Sequence, residues 1–248
     1  MEVSLYQKHE GVFKTISCIV HAVGAVHFTF GCYYDWFEVN IPKEVSPIFA
    51  AFGYKLKFLT YWDALLQATY FILATVNDIL GPKDKHTEEP TMLCKVRDFV
   101  ECSMAFPVSM FVGFTFWSLM AVDRELVLPK ALDPYFPPWL NHVMHTNIVI
   151  FQFLEITTSR RDFPPKKWGL LGLSVFQGLY LVWMNIVFFV SGLWAYPILN
   201  VLGVPARILF LTASFFTGFL FYFFGEYLNR FLWAEEKPTS HPNVKYSK

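Results

Sequence analysis

The chain has 248 residues, of which 54% are hydrophobic, 19% aromatic and only 16% charged. Twenty basic and twenty acidic residues leave no formal net charge, so no basic domain suggests binding to nucleic acid. Long apolar runs recur along the whole chain. They exclude an ordinary soluble domain and predict an all-α protein, a polytopic membrane helix bundle.

Six apolar segments have the length of membrane spans. About twenty apolar residues cross the hydrocarbon core as a helix, and the segments cover roughly 12–34, 58–80, 98–122, 138–157, 169–191 and 206–229. Lys8 precedes the first segment and Lys14 lies at its start, as in a signal sequence. That segment is long enough to span, so a retained helix is expected. Residues 1–248 are therefore predicted to form a single transmembrane domain.

The basic residues are unevenly distributed between the connecting segments. Fourteen of the twenty lie in the N-terminus, the 82–97 loop, the 158–167 loop and the C-terminal tail. The positive-inside rule places these segments in the cytosol. Both termini are then expected to be cytosolic in a protein of the endoplasmic reticulum or plasma membrane. The 35–57, 123–137 and 192–205 loops would face the lumen or exterior.

Those three non-cytosolic loops are rich in aromatic residues and prolines. Aromatic side chains of membrane proteins commonly sit at headgroup depth, so one interpretation is an interfacial belt. The other interpretation is a cap over a pocket that opens sideways into lipid.

The fourth segment carries the most polar side chains. At about 100° per residue, Asn141, His145, Gln152 and Glu155 share a stripe about 80° wide, with His142 at its edge. Such groups are costly in hydrocarbon, so they are expected to face the bundle interior and are functional candidates. Of the two histidines, His145 is the better candidate for the centre of a site.

The second segment offers a partner for this histidine. Thr60, Asp63 and Gln67 lie on one face of a helix, which should pack inward against the fourth segment. Both segments start from the same side of the membrane, so Thr60 and His145 should lie about 5–10 Å below one interface. A hydroxyl and an imidazole at one depth suit a nucleophile with its general base. Asn141 could orient the imidazole or donate to an oxyanion, and Asp63 could orient it instead.

Structural interpretations of the same residues remain open. Membrane threonines commonly bond back to the preceding turn, and an inward histidine can be a satisfied core group. A metal-dependent lipid hydrolase is another alternative, with His142 and His145 joined by Asp63 or Glu155.

A non-enzymatic transporter or lipid-binding protein is a further alternative. Its polar pathway would use Glu101, Asn185, Glu226 and Asn229. No pair of matching broken helices supports a transporter repeat.

Seven motifs occur in a characteristic order along the chain. They are Lys57-Phe58-Leu59-Thr60, Ala105-Phe106-Pro107-Val108, Asp123-Arg124-Glu125, Leu128-Pro129-Lys130, Trp139-Leu140-Asn141-His142-x-Met144-His145-Thr146, Trp194-x-Tyr196-Pro197 and Gly225-Glu226-x-Leu228-Asn229. In this the chain resembles the family of the androgen-induced protein and the androgen-dependent TFPI-regulating protein. The resemblance runs from about Tyr54 to Trp233 and is poor over the first forty residues.

The resemblance implies a membrane threonine hydrolase that cleaves fatty acid esters of hydroxy fatty acids. The family nucleophile falls on Thr60 and the essential histidine on His145. Asn141 and Asp63 remain candidates for orienting or oxyanion roles, with His142 flanking the site. The implied substrate is a lipid ester, the product a fatty acid, and the surroundings membrane lipids. No cofactor and no metal are expected, and the sequence names no protein partner.

Overall fold

The computed structural model describes residues 5–81 and 90–234, with side chains described from residue 11. Six long helices account for most of it. They are α1 (Leu5–Phe37), α2 (Leu59–Leu80), α3 (Met92–Val122), α4 (residues 138–158), α5 (Lys166–Ser191) and α6 (Val204–Leu232). Within the described ranges there is no strand, which confirms the all-α prediction.

Each predicted apolar segment coincides with one of these helices. Four of the described stretches are long and apolar enough to cross a membrane: Gly11–Phe37, Met92–Val122, Lys166–Ser191 and Val204–Leu232. The helices α2 and α4 lie outside that set, so the count of six spans stays a prediction, as does the single transmembrane domain. Five of the fourteen basic residues of the predicted cytosolic segments lie at 82–89 and 235–248, which are outside the described residues.

The helices α3 and α4 are each interrupted by a π-helical turn. In α3 the turn covers Glu101–Ala105 and is followed by Phe106–Val122, with Pro107 at its start. Proline has no N–H and clashes with the preceding turn, so a regular helix cannot continue through it. The widened turn accommodates Pro107 at the place where the sequence predicts a kink. In α4 the turn covers Val143–Asn147.

The core is built on close contact between α1 and α2. Phe28 and Phe71 are fully buried and stack with their ring centroids 5.6 Å apart. Phe151 of α4 packs edge-on against Phe71, with ring centroids at 5.6 Å. Gly24 allows this approach, because a Cβ added there would lie 2.7 Å from the Phe71 ring. Large apolar side chains on the outer faces of the helices remain exposed, as expected of surfaces that face lipid.

Amide side chains join α2 to α4. The Gln152 side chain donates to Gln67 Oε1 at 2.8 Å, and Gln67 donates to Asp63 Oδ1 at 2.9 Å. All three residues are fully buried. The predicted polar faces of the second and fourth segments therefore do face each other.

An ionic cluster, buried except for the partly exposed Asp78, lies at the opposite end of α4 from the Pro138 start. Its members are His21, Asp78, Glu155 and Arg161. His21 bonds to Asp78 at 2.5 Å and to Glu155 at 2.9 Å, and Arg161 pairs with Glu155. Asn229 of α6 holds the Arg161 backbone through both its N–H and its carbonyl, at 3.2 and 2.9 Å. The cluster thus connects α1, α2, α4 and α6.

Candidate active site

The loop before α2 fixes the start of that helix. A 3-10 turn, Tyr54–Lys57, leads directly to Phe58 and Leu59. The Lys57 ammonium is buried and donates to the backbone carbonyls of Ile48 and Ala51. Burial and the neighbouring Lys55 charge lower the pKa of Lys57 to about 8. These bonds fold the loop back on itself just before α2. Because α2 begins at Leu59, Thr60 lies in its first turn.

The π turn of α4 carries the histidine. His145 lies within Val143–Asn147 and its side chain is buried. Single π turns are frequent at functional sites because they re-aim side chains that a regular helix would point elsewhere. Here the neighbouring α3 comes very close: a Cβ added to Gly113 would lie 3.0 Å from the His145 carbonyl and 2.4 Å from a Val149 methyl. Glycine at that position therefore allows α3 to support the histidine turn.

Thr60, His145 and Asn141 form a hydrogen-bonded series. His145 Nδ1 lies 2.8 Å from Asn141 Oδ1 and 3.0 Å from the Asn141 backbone carbonyl. The backbone carbonyl can only accept, so Nδ1 carries the proton whichever way the amide is assigned. The other ring nitrogen, Nε2, is then an acceptor, and the Thr60 hydroxyl lies 3.3 Å from it. The arrangement matches a nucleophile, a base and an orienting group.

The imidazole is held in place on its face as well as at its edges. Phe116 of α3 stacks on His145 with the ring centroids 3.5 Å apart and the planes 13° from parallel. Burial without an acidic partner disfavours the charged imidazolium. The resting ring is therefore neutral, as a general base must be.

Thr60 and His145 open onto a cavity of about 220 Å³. Most of its lining is apolar, and it includes Phe49, Leu128, Phe136 and Ile198 from the three predicted non-cytosolic loops. These loops therefore cover the cavity, which agrees with the interpretation of a cap over a pocket. An apolar cavity with a few convergent polar groups is suited to a lipid chain.

The remaining predicted site residues lie away from the imidazole edge. Asp63 is fully buried and bonds to Gln67, while its Oδ2 has no hydrogen-bond partner within residues 11–81 and 90–234. Asn141, and not Asp63, contacts His145. The exposed His142 bonds to Thr146 at 3.0 Å and stacks on Trp117.

The residues of the metal alternative are dispersed. His142 lies on the outer face of α4, and Glu155 belongs to the ionic cluster. In the part of the chain that the structure describes, no three His, Cys, Asp or Glu side chains form a group that could hold a metal ion.

The residues of the transporter alternative also have local partners. Glu226 pairs with Arg230 at 2.6 Å, and the exposed Asn185 donates to the Leu181 carbonyl. Glu101 lies 3.4 Å from the Gln152 amide. The first two contacts lie within single helices, and the Glu101 contact joins α3 to α4, so these residues do not form one continuous polar path.

Two residues that contact the predicted site, Phe116 and Tyr196, were not among the predicted site residues. Phe116 lies in a uniformly apolar helix, so no pattern marks it. Tyr196 comes from the loop between α5 and α6, and its hydroxyl accepts a hydrogen bond from the Leu59 N–H at 2.7 Å. The Trp194-x-Tyr196-Pro197 motif was the available signal, but it was attributed to the interfacial belt or cap.

Comparison with known proteins identifies the family. The model of the FAR-17a/AIG1-like proteins matches residues 16–230. The chain belongs to this family. The match covers α1 from residue 16 onward, so it begins earlier in the chain than the resemblance drawn from the motifs.

Relatives from this family cover most of the chain. The human androgen-induced gene 1 protein is 36% identical over 212 residues, which is 83% of this chain and 89% of that protein. The mouse androgen-dependent TFPI-regulating protein is 37% identical over 239 residues, or 93% and 99% of the two chains. A Schizosaccharomyces pombe protein named a membrane protein is 23% identical over 212 residues, covering 83% of this chain and 86% of that one. No solved structure matches the chain significantly.

The family and the four apolar helices identify the chain as an integral membrane protein. The family match and the relatives confirm the resemblance that the seven motifs indicated. The relatives' names refer to androgen and to TFPI and state no reaction. The chemistry of this member must therefore be argued from its site.

Proposed function

We propose that this protein is an integral-membrane hydrolase of lipid esters, including fatty acid esters of hydroxy fatty acids. One observation carries the proposal: the Thr60 hydroxyl lies 3.3 Å from His145 Nε2 at the wall of an apolar cavity. Nucleophile–base distances in the absence of substrate are commonly this long and shorten in the reacting complex.

The reaction begins with attack of Thr60 on the ester. The Thr60 oxygen adds to the carbonyl carbon while His145 Nε2 takes the hydroxyl proton. The tetrahedral intermediate then collapses, and His145 gives the proton to the departing alkoxide, which leaves as the hydroxy acid. Asn141 keeps the second proton on Nδ1 throughout. Thr60 now carries the acyl group.

The second half of the reaction regenerates the enzyme. His145 removes a proton from a water, which attacks the acyl-Thr60 carbonyl, and collapse releases the fatty acid and returns the proton to Thr60. The apolar lining favours long chains that arrive from the bilayer. Short, water-soluble esters would leave most of the cavity unfilled.

Purified protein incubated with lipid esters tests the proposal. We expect hydrolysis of long-chain esters, much slower turnover of a short soluble ester, and labelling of Thr60 by a lipid-like fluorophosphonate. Mass spectrometry that places the label on another residue would refute the threonine nucleophile. Loss of activity on addition of a chelator would favour the metal alternative, and absence of ester cleavage would favour a transporter or lipid-binding protein.

Replacing Asn141 by alanine is expected to reduce kcat by about ten- to a hundredfold, a smaller loss than an altered orienting carboxylate causes in a Ser-His-Asp triad. The reason is that the backbone carbonyl at 3.0 Å continues to accept from Nδ1. His142→Ala is the matched comparison, because His142 is a neighbour on the same turn that contacts only Thr146 and Trp117 among the contacts described above. It should retain activity within about threefold. Equal losses in the two variants would refute the orienting role of Asn141.

We also propose that both termini face the cytosol, which the distribution of Lys and Arg supports. The membrane would be that of the endoplasmic reticulum or the plasma membrane. Epitope tags at the two ends of the chain should both be cleaved when protease is added to intact microsomes. Protection of one tag alone would require an odd number of spans and would remove the basis on which the sequence predicted a common depth for Thr60 and His145.

A further inference from the structure

Tyr196 closes the N-terminal end of α2, where the nucleophile lies. The residue that precedes this helix is Phe58, whose side chain has no oxygen to cap the first amides. The Tyr196 oxygen takes that place by accepting from the Leu59 N–H at 2.7 Å. The phenol is thus held directly beside Thr60, which follows Leu59 in the chain.

The neighbouring phenol, Tyr180, leaves the Tyr196 proton available. Tyr180 can donate its single proton to the Lys57 carbonyl at 3.1 Å or to the Tyr196 oxygen at 3.3 Å. When Tyr180 donates to the Tyr196 oxygen, Tyr196 is the acceptor of that bond and its own proton can point to another acceptor. Among the described residues no backbone carbonyl accepts from the Tyr196 hydroxyl, and Thr60 is a hydrogen-bonding neighbour.

The Tyr196 phenol is a neutral donor at physiological pH. Burial raises the pKa of Tyr196, and hydrogen bonds from Tyr180, Leu59 and Thr60 oppose the rise only in part. A donor that also accepts an N–H bond is polarised by it, which strengthens the bond it donates. The first turn of α2 adds the positive end of a helix dipole at the same place.

Ester hydrolysis by Thr60 requires a hydrogen-bond donor close to the Thr60 oxygen. When the Thr60 oxygen adds to an ester carbonyl, the carbonyl oxygen becomes an anion one carbon away from Thr60. Preorganised donors at that position supply a large part of the rate enhancement in acyl transfer. Among the polar residues that line the cavity, hydrogen-bond distances join Thr60 to His145 and Tyr196 to Tyr180.

We propose that the Tyr196 hydroxyl is the oxyanion donor of this site, a catalytic residue distinct from Thr60 and His145. The inference rests on the proposed ester hydrolysis. Tyr196 donates to the anion that forms in each half of the reaction, while the Leu59 N–H fixes its oxygen. No proton leaves Tyr196 in either step.

Tyr196→Phe tests the role because it removes the hydroxyl and keeps the ring. We expect kcat to fall by about a hundred- to a thousandfold with KM nearly unchanged. A long-chain trifluoromethyl ketone, which adds to Thr60 and forms an oxyanion, should lose affinity by a similar factor. The affinity for the fatty acid product should stay constant. Tyr222→Phe, which removes another buried hydroxyl that is not part of the cavity lining, should change neither value.

Trifluorotyrosine at position 196 provides a second test if the Phe variant fails to fold, because it retains the oxygen that accepts from the Leu59 N–H. Fluorination lowers the pKa of the phenol, and the phenolate can still accept from Leu59 but cannot donate. Activity should therefore decline with rising pH at a lower pH than in the wild type. A role in capping alone predicts an unchanged pH profile.

The outcomes separate this inference from the proposed function. If the wild type hydrolyses long-chain esters and Tyr196→Phe does so equally well, the oxyanion role is refuted and the hydrolase stands. If Tyr196→Phe loses affinity for product as strongly as for the ketone, the residue shapes the cavity and does not serve the anion. If the wild type neither cleaves esters nor forms the Thr60 adduct, both proposals fail.

Discussion

Replacing Thr60 by alanine is expected to reduce hydrolysis of a long-chain ester by at least about a thousandfold, as removal of a triad nucleophile does. His145→Ala should cause a similar loss, because the hydroxyl at 3.3 Å then has no base. The two residues act as one unit, so the double variant should be little worse than either single one. Turnover is measured with purified protein in detergent or in lipid vesicles.

Thr69→Ala provides the matched control for the nucleophile. Thr69 lies on the same helix, is exposed, and donates to the Leu65 carbonyl at 2.7 Å. It should keep full activity. Thr60→Ser should retain measurable turnover because it keeps the hydroxyl. Near-normal hydrolysis by Thr60→Ala, in a protein that elutes as a folded monodisperse species, would show that another group attacks the ester.

The second large effect is expected on stability. Replacing Arg161 by methionine leaves Glu155, which is fully buried, without its guanidinium partner. Removing one member of a buried ion pair costs about 3–5 kcal/mol, because the remaining charge stays desolvated and uncompensated. His21 then provides the main remaining contact to Glu155, at 2.9 Å. We expect a large fall in thermal stability in detergent.

Two further variants test whether the loss of stability comes from the unpaired charge of Glu155 or from nonspecific disruption of packing. Arg230→Met breaks an ion pair with Glu226 at a side chain that is 70% exposed, and it should cost less than about 1 kcal/mol. Adding Glu155→Gln to Arg161→Met removes the orphaned charge and should restore part of the stability. The interpretation fails if Arg161→Met unfolds at the same temperature as Arg230→Met.

The sequence predicted much of the helical framework because apolar run length is a local property. The helices begin and end within a few residues of the predicted segments, apart from the earlier starts of α1 and α3. The inward faces also followed from periodicity: Asn141, His145, Gln152 and Glu155 are all buried. Those predictions depend only on residues close together in the chain.

The contacts that complete the site depend on long-range packing. Thr60 and His145 could be paired by depth, since both helices start from one interface. The hydroxyl of Tyr196 reaches Leu59 across 137 positions of sequence, and helix periodicity contains no information about such a contact. Asp63 was an equal candidate for orienting His145, but Asn141, one turn away on the same helix, makes that contact.

The π turn at Val143–Asn147 also sets the phase between the two halves of α4. A π turn holds one more residue than an α-helical turn, so the residues after it are rotated about the helix axis relative to their positions in a regular helix. Asn141 lies before the turn, whereas Gln152 and Glu155 lie after it. The helix can therefore present His145 to the cavity and Glu155 to the ionic cluster, each aligned independently of the other. A one-residue gap in this turn would rotate one half against the other, so alignments of family members should be anchored separately on each side of it.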